Sequence, residues 1–214
     1  MSVQASARKA SPADRERMAA TLAAAFADDP VFAWLLPPSA PSRERRMLTL
    51  FRSLVNSYEP KGSCYLAGDG DAVAMWAPPG KWETPMGDIL GQLAPFLGSL
   101  RFRAIHSLRT LLAIEAAHPK QPPHLYLGFL GTVPARQGQG LGAELLRAVL
   151  VDADRAGLPA YLESSNPRNL TLYRRHGFEV VEELKPPWGC PPIWRMWRDP
   201  RATAAAGSKA SAPG

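Results

Sequence analysis

Apolar positions along this chain follow two periods, and the change from one to the other divides it. In the first half the spacing is helical. Met18, Leu22 and Phe26 recur every four residues between Ser11 and Asp28, which predicts a helix with one apolar stripe. Ser11 suits its cap, Pro12 its first position, and Asp14 and Glu16 the positive end of its dipole. Asp28-Asp29-Pro30 closes it, and a short apolar piece from Val31 to Leu36 runs into Pro37-Pro38. A second amphipathic helix opens at Ser42, with Met47, Phe51, Leu54, Val55 and Tyr58 on its apolar face. The short apolar segments SCYLAG and AVAMWAPP, joined by Asp69-Gly70-Asp71, predict a hairpin. Helical spacing returns from Met86 to Ala117, as two helices parted near Gly98.

The second half alternates between elements. HLYLGFLGTV (124–133) predicts a strand leading into a glycine-rich turn. A helix over 140–156 places Leu141, Leu145, Val149 and Ala153 on one stripe, and Gly157 and Pro159 end it. AYLESS (160–165) predicts a strand. Asn166 then caps a helix with Pro167 at its first position and Gly177 just past its end. FEVVEEL and IWRMWR predict two closing strands. The order is helices, hairpin, helices, strand, helix, strand, helix, strand, strand. It implies an α/β fold in which a mixed sheet carries helices on its faces. Residues 1–200 read as one domain, and RATAAAGSKASAPG (201–214) as a disordered low-complexity tail.

Composition excludes several function classes. The 214 residues are 46% hydrophobic and 21% charged, ordinary values for a globular chain. No apolar run approaches the roughly 20 residues that span a bilayer, and the polar start (MSVQASARKASPADRER) lacks the apolar core of a secretory signal. No membrane association is expected. Cys64 and Cys190 suggest neither a disulfide framework nor a metal site, so the expected compartment is the reducing cytoplasm. The net charge of +6 comes from basic residues scattered among acids, as in RERR at 43–46. A solvated basic surface, or a polyanionic cofactor, accommodates that excess. Nothing resembling a zinc finger or helix-turn-helix argues for nucleic acid.

The chemistry concentrates where the predicted strand runs into Gly138, Gly140 and Gly142 and then a helix. Glycines let backbone N–H groups approach an anion, and the helix start adds its dipole. A nucleotide-triphosphate loop is excluded, because Gly142 is followed by Ala143-Glu144 instead of lysine and a hydroxyl residue. Gly138-x-Gly140-x-x-Ala143 also fits a dinucleotide fingerprint, with Glu163 about 20 residues on. Against it, Pro134-Ala135-Arg136-Gln137 separates strand from first glycine, and only about 50 structured residues remain for the rest of a doubly wound sheet. A ligand-free turn leaves the three glycines weakening a helix start without other use. Coenzyme A is the remaining reading. Gln137-x-x-Gly140-x-Gly142 resembles motif A of the GNAT superfamily of N-acetyltransferases. Asn166-x-x-Asn-Leu-x-Leu-Tyr173-x-x-x-Gly177-Phe178 resembles that family's next motif, which usually carries Ala where this chain has Asn169. The resemblance covers most of residues 15–198 and is patchy between 30 and 117.

The resemblance implies a GNAT-like fold, acetyl-CoA as co-substrate and transfer of its acetyl group to a primary amine. It implies that the strand before motif A splays from its neighbour, leaving Leu130, Gly131 and Thr132 to pair with pantetheine and one N–H to face the thioester oxygen. Glycine is otherwise a poor strand residue, so Gly131 predicts a bulge or a close approach. The pyrophosphate would rest on amides from Gly138 to Ala143, with Gln137 at the loop start and Gln139 and Leu141 contributing main chain. Asn166 is expected to contact coenzyme A and to cap its helix. Tyr173 is the expected general acid, since a phenol with a pKa near 10 stays protonated at neutral pH. Glu163 is the candidate base through a water chain, or else a structural carboxylate. His118, His124 and His176 read as surface or loop residues. The acceptor pocket is expected from Phe26 to Trp34, from Trp76 to Trp82 and from the helices over 86–117. Asp28 and Asp29 would attract a cationic amine there, and Trp34, Trp76 and Trp82 would stack on the acceptor or serve the core. Three functions remain open at this point: an acetyltransferase on a small amine, one on protein N-termini or lysines, and a non-catalytic acyl-CoA sensor. Monomer and homodimer are both compatible.

Overall fold

The computed structural model describes residues 7–82, 103–187 and 189–202. The helical stretch expected over 86–102 and the tail from 203 lie outside the described residues.

The amide and hydroxyl of Ser11 both donate to Asp14 Oδ2 at 2.8 Å, fixing the turn that leads into helix α1 (Arg15–Ala25). Met18 and Leu22 are fully buried on its inner face. The apolar piece after Asp29 is a short helix, α2 (Pro30–Leu35). Asp29 Oδ1 accepts the Val31 and Phe32 amides at 3.0 and 3.2 Å, and Pro30 occupies the first turn, where no N–H is missed. Helix α3 (Arg43–Tyr58) buries the predicted face, with Leu50 added. Helix α4 spans Arg103–Ala117, α5 Leu141–Arg155 and α6 Leu170–Arg175.

Among the described residues, one seven-stranded sheet runs in the order β1-β2-β3-β4-β5-β7-β6. Its strands are β1 (Arg8–Lys9), β2 (Cys64–Ala67), β3 (Ala72–Ala77), β4 (Leu125–Thr132), β5 (Ala160–Ser164), β6 (Glu179–Leu184) and β7 (Ile193–Arg198). Among the described strands only β4 and β5 are parallel neighbours. Strand β1 was not expected; two residues are too few to show a period. Helices α1 and α3 cover one face, where Met18, Leu22 and Phe51 pack on Val73 and Met75. Helix α5 covers the other, where Leu145, Leu146 and Val149 meet Ala74, Trp76 and Leu162. Trp76 is fully buried on that second face. It serves the core, the second of the two roles that the sequence left open for it.

Strand β4 holds the feature that organises the site. Trp76 of β3 pairs with Leu127, yet Met75 pairs with Phe129, so Gly128 is an extra residue in the strand. The parallel register with β5 stops at Leu127↔Leu162. From Gly128 onward β4 keeps β3 and leaves β5, and a wedge opens between them. Both strand glycines are steric necessities. A β-carbon at 128 would collide with the Tyr58 hydroxyl, and one at 131 would lie 2.8 Å from the Ala25 β-carbon. The close approach expected at Gly131 is present; the bulge sits three residues earlier.

Candidate active site

The wedge continues into a cleft of about 580 Å³, within the range of roughly 300–1,000 Å³ usual for small-molecule sites. One wall is β4, through Leu130, Gly131 and Thr132, followed by Gln137, Gly138, Gly140, Leu141, Gly142 and Ala143. The opposite wall is Asn166, Arg168, Asn169, Leu172, Tyr173 and Arg175, and the end of α1 with Asp28 and Asp29 closes one side.

The glycine loop is shaped by its backbone. Gly138 and Gly140 have φ of 76° and 86°, values that favour glycine, and a β-carbon at either would meet open space. Gly142 is helical, but a β-carbon there would lie 3.4 Å from Leu172 and narrow the cleft. Gln137 Nε2 donates to Thr132 O at 3.1 Å, and Gln139 Nε2 reaches Ala135 O at 3.4 Å. Both side chains therefore fasten the loop to itself, and Gln139 is the one expected cofactor residue that does not line the cleft. Among the described residues, the amides from Gly138 to Ala143 donate no backbone hydrogen bond, and the first amide of the run to do so is Glu144, to Gly140 O at 3.0 Å. A row of free N–H groups at the start of α5 fits a pyrophosphate. Arg136, Arg168 and Arg175 add positive charge to the rim. The sequence reading passed over them, although Arg136 adjoins Gln137 and Arg168 lies inside the Asn166 turn.

Asn166 serves its helix and the cleft together: its Oδ1 accepts the Arg168 amide at 3.1 Å while the residue lines the cavity. Tyr173 is 6% exposed, and its hydroxyl has no hydrogen-bond partner among the described residues. Burial, reinforced by the charge of Asp29, pushes its pKa well above that of a free phenol and keeps it protonated. Asp29 is itself buried, with Oδ2 accepting the Ser165 hydroxyl at 2.5 Å. That bond ties the α1–α2 corner to the end of β5.

Glu163 stands elsewhere. It follows Leu162, the last residue of β5 paired with β4, and so sits at the closed end of the wedge. It does not line the cleft. Its Oε2 accepts the Tyr126 hydroxyl and its Oε1 the Tyr161 hydroxyl, both at 2.9 Å. His118 and His124, expected as surface or loop residues, lie outside the helices and strands and are only 5% and 2% exposed beside it. His176 is partly buried, with Nδ1 2.9 Å from Leu172 O at the end of α6. Trp82 stacks on His118 with ring centroids 3.8 Å apart, and Trp34 packs against the α1–α3 core.

A cleft with free amides beside a parted pair of strands is suited to an extended phosphate-bearing ligand, and comparison with known proteins gives its class. The sequence profile of the acetyltransferase (GNAT) family matches residues 29–178, and the chain belongs to that family. It is an acetyl-CoA-dependent N-acetyltransferase. An uncharacterised N-acetyltransferase of Schizosaccharomyces pombe is 28% identical over 187 residues, which are 83% of this chain and 76% of the relative. A structure described as histone acetyltransferase HPA2 and related acetyltransferase, from Corynebacterium glutamicum, superposes with a TM-score of 0.68 at 25% identity. The match covers 94% of this chain and 99% of that one. A Drosophila melanogaster polyamine N-acetyltransferase shares the fold with a TM-score of 0.62 at 18% identity, over 90% and 98% of the two chains. Among the described residues no helix is long and apolar enough to cross a membrane, and no cluster of ligating side chains is placed to hold a metal.

Proposed function

We propose that the protein acetylates the primary amine of a small molecule by direct attack of that amine on the thioester. The observation that carries this is the shared cleft. The free amides of 138–143 and the protonated hydroxyl of Tyr173 face one cavity at the mouth of the wedge. Leu130, Gly131 and Thr132 hold the pantetheine arm, the Gly138–Ala143 amides with Gln137 and Gln139 form the pyrophosphate loop, and Asn166 lies against the cofactor. Leu130 to Thr132 also supply the N–H for the oxyanion. Tyr173 donates to the departing sulfur, and Glu163 takes the ammonium proton at the end of a water chain. Residues 1–200 act as a single domain, as monomer or homodimer, in the cytoplasm.

The stretches TLAAAFADDP, HPKQPPHLYL, LESSNPRNLTLYRRHGF and IWRMWR are similar to puromycin N-acetyltransferase, which favours an antibiotic or other xenobiotic amine as acceptor. Polyamine and agmatine N-acetyltransferases share the fold, and so does a NatC complex bound to a peptide and CoA, which keeps protein acetylation as the second reading. The test is an acetyl-CoA-dependent thiol-release screen against puromycin, agmatine, aminoglycosides and N-terminal peptides. Release with at least one small amine and none with peptides is expected. Release with peptides alone would favour the second reading. Tight acetyl-CoA binding without release for any amine would make the protein a sensor.

A further inference from the structure

The acetyl-transfer reading uses Glu163 and leaves the buried polar groups around it without a task. Their hydrogen bonds have a direction. His124 Nδ1 lies 2.8 Å from Pro122 O, and a carbonyl only accepts, so Nδ1 carries the proton and a neutral His124 presents a bare Nε2. His118 Nε2 is 3.1 Å from that atom and must donate to it. A neutral His118 is then bare at Nδ1, and Nδ1 faces Glu163 Oε1 across 3.8 Å. Two buried acceptors that face each other in this way form a site for one proton.

We propose that His118 is the proton-holding partner of Glu163, so that the pair takes up the proton that the acceptor ammonium loses before attack. The inference rests on the acetyl-transfer reading and deepens its least specified step. His118 touches no substrate and acts through Glu163, as a positioning residue. The ammonium N–H bond breaks and its proton passes along a chain of waters to a Glu163 oxygen, then to His118 Nδ1. Glu163 thereby recovers its charge beside an imidazolium. The freed lone pair on nitrogen forms the C–N bond as the C–S bond breaks, with that electron pair leaving on sulfur. Sulfur takes the Tyr173 proton, and a second nitrogen proton restores Tyr173. The stored proton leaves through Glu163 after product departs.

The surroundings suit a cation on His118 and not on His124. Trp82 stacks on His118 at an interplanar angle of 18°, and the π-faces of such rings favour cations. Burial lowers the proton affinity of His124, and a charge on His118 lowers it further. Among the described residues the titratable groups facing His118 are Glu163 and Tyr161 from β5, Tyr126 from β4 and His124 from the segment just before it. Arg195 of β7 bonds to the Tyr161 hydroxyl at 2.9 Å and is itself paired with Glu182. Tyr58 of α3 stays protonated through its burial and the charge of Glu163. The 3.8 Å gap is long for proton transfer, as catalytic contacts often are before substrate binds.

The deciding measurement is an imidazole ¹⁵N titration of the whole protein, with and without Glu163→Gln. At one fixed pH near neutral, the share of His118 that carries a proton on Nδ1 is expected to fall by up to about tenfold when the carboxylate is removed. An unchanged share would overturn the pairing. In parallel, kcat/KM against pH is measured with agmatine, or with puromycin if agmatine is not turned over. His118→Phe keeps the stacking on Trp82 and removes the proton site. It is expected to lose about tenfold or more at neutral pH, to recover as rising pH deprotonates the amine unaided, and to keep the wild-type KM for acetyl-CoA. A wild-type profile in His118→Phe with a depressed Glu163→Gln would refute this proposal alone. A wild-type profile in Glu163→Gln would refute the base assignment beneath it. Should His118→Phe fail to fold, the titration of Glu163→Gln decides the question by itself.

Discussion

At Tyr126 and Leu127, β4 is paired on both sides; past the Gly128 bulge, from Phe129 to Thr132, it keeps β3 and loses β5. The first half has no backbone to spare, and its contribution is side chains. Tyr126 faces Glu163, and two histidines complete a buried polar cluster. The second half offers an edge, and its neighbours in sequence offer amides. A single inserted glycine makes the difference, because Gly128 lets the Tyr58 hydroxyl press against the strand where it turns away. Under the proposed function, the contrast separates the two requirements of acyl transfer along one strand: recognition of the donor where pairing is lost, and handling of the amine's proton where pairing holds.

The largest expected effect tests whether recognition and chemistry are separable. Tyr173→Phe keeps the ring against Phe178 and removes only the hydroxyl. We expect kcat to fall by about 10²–10⁴ while the Kd for acetyl-CoA stays within about twofold of wild type. Steady-state kinetics and calorimetry measure the two quantities. Equal losses in both would mean that Tyr173 binds the cofactor rather than protonating it.

Next in size are matched substitutions in the two halves of β4. Gly131→Val drives a side chain into Ala25, Leu22 and Phe26, and overpacking of this kind costs about 1–3 kcal/mol. Tyr126→Phe leaves Glu163 Oε2 without its donor, at a cost of about 1–3 kcal/mol. The stabilities should fall alike in urea titrations. Only Gly131→Val should also weaken acetyl-CoA binding. A binding defect in Tyr126→Phe would show that the two halves are not independent.

How far the sequence revealed this site follows from where its information lies. The glycine loop, the Asn166 cap with Pro167 and Gly177, and the spacing to Tyr173 are local patterns, and each element lies where the pattern put it. The bulge was half legible. Two glycines, 128 and 131, interrupt the strand, and only the approach of Tyr58 and Ala25 in three dimensions tells their roles apart. The burial of His118 and His124 was not legible at all, since it depends on Tyr161 and Trp197, which come from strands far along the chain. Nor does a period of two reveal that β7 lies between β5 and β6, or which face of β3 Trp76 occupies.

A loop substitution sharpens the backbone side of the comparison. Gly140→Ala meets no atom within 4 Å, so its only cost is the left-handed backbone at φ 86°, about 1–2 kcal/mol. If the amides carry recognition, relief of that strain turns them away from the pyrophosphate, and the Kd for acetyl-CoA should rise by about five- to tenfold. Unchanged affinity would shift recognition to Arg136, Arg168 and Arg175.

The smallest expected effect concerns two carboxylates with opposite pH slopes. Asp154 accepts Arg198 Nη2 at 2.7 Å, and this contact holds its pKa below the ordinary value. It therefore stabilises the fold above its unfolded pKa, and that contribution is lost as pH falls through the folded value. Asp29 lies on the cleft wall, where burial raises its pKa despite the bonds from Ser165, Phe32 and Val31. The native state then binds its proton more readily than the unfolded chain does, so stability declines as pH rises from the unfolded value, about 4, through the folded one. Asp29→Asn keeps an acceptor for the Val31 and Phe32 amides and removes the charge. Denaturation at several pH values between about 2 and 7 should show Asp29→Asn gaining on wild type as pH rises above about 4, whereas Asp154→Asn should lose ground as pH rises toward about 4 and hold a constant deficit above it. A flat difference for Asp29→Asn would mean that its three hydrogen bonds offset burial completely. The charge on the cleft wall would then be held without cost to the fold, ready to meet a cationic amine.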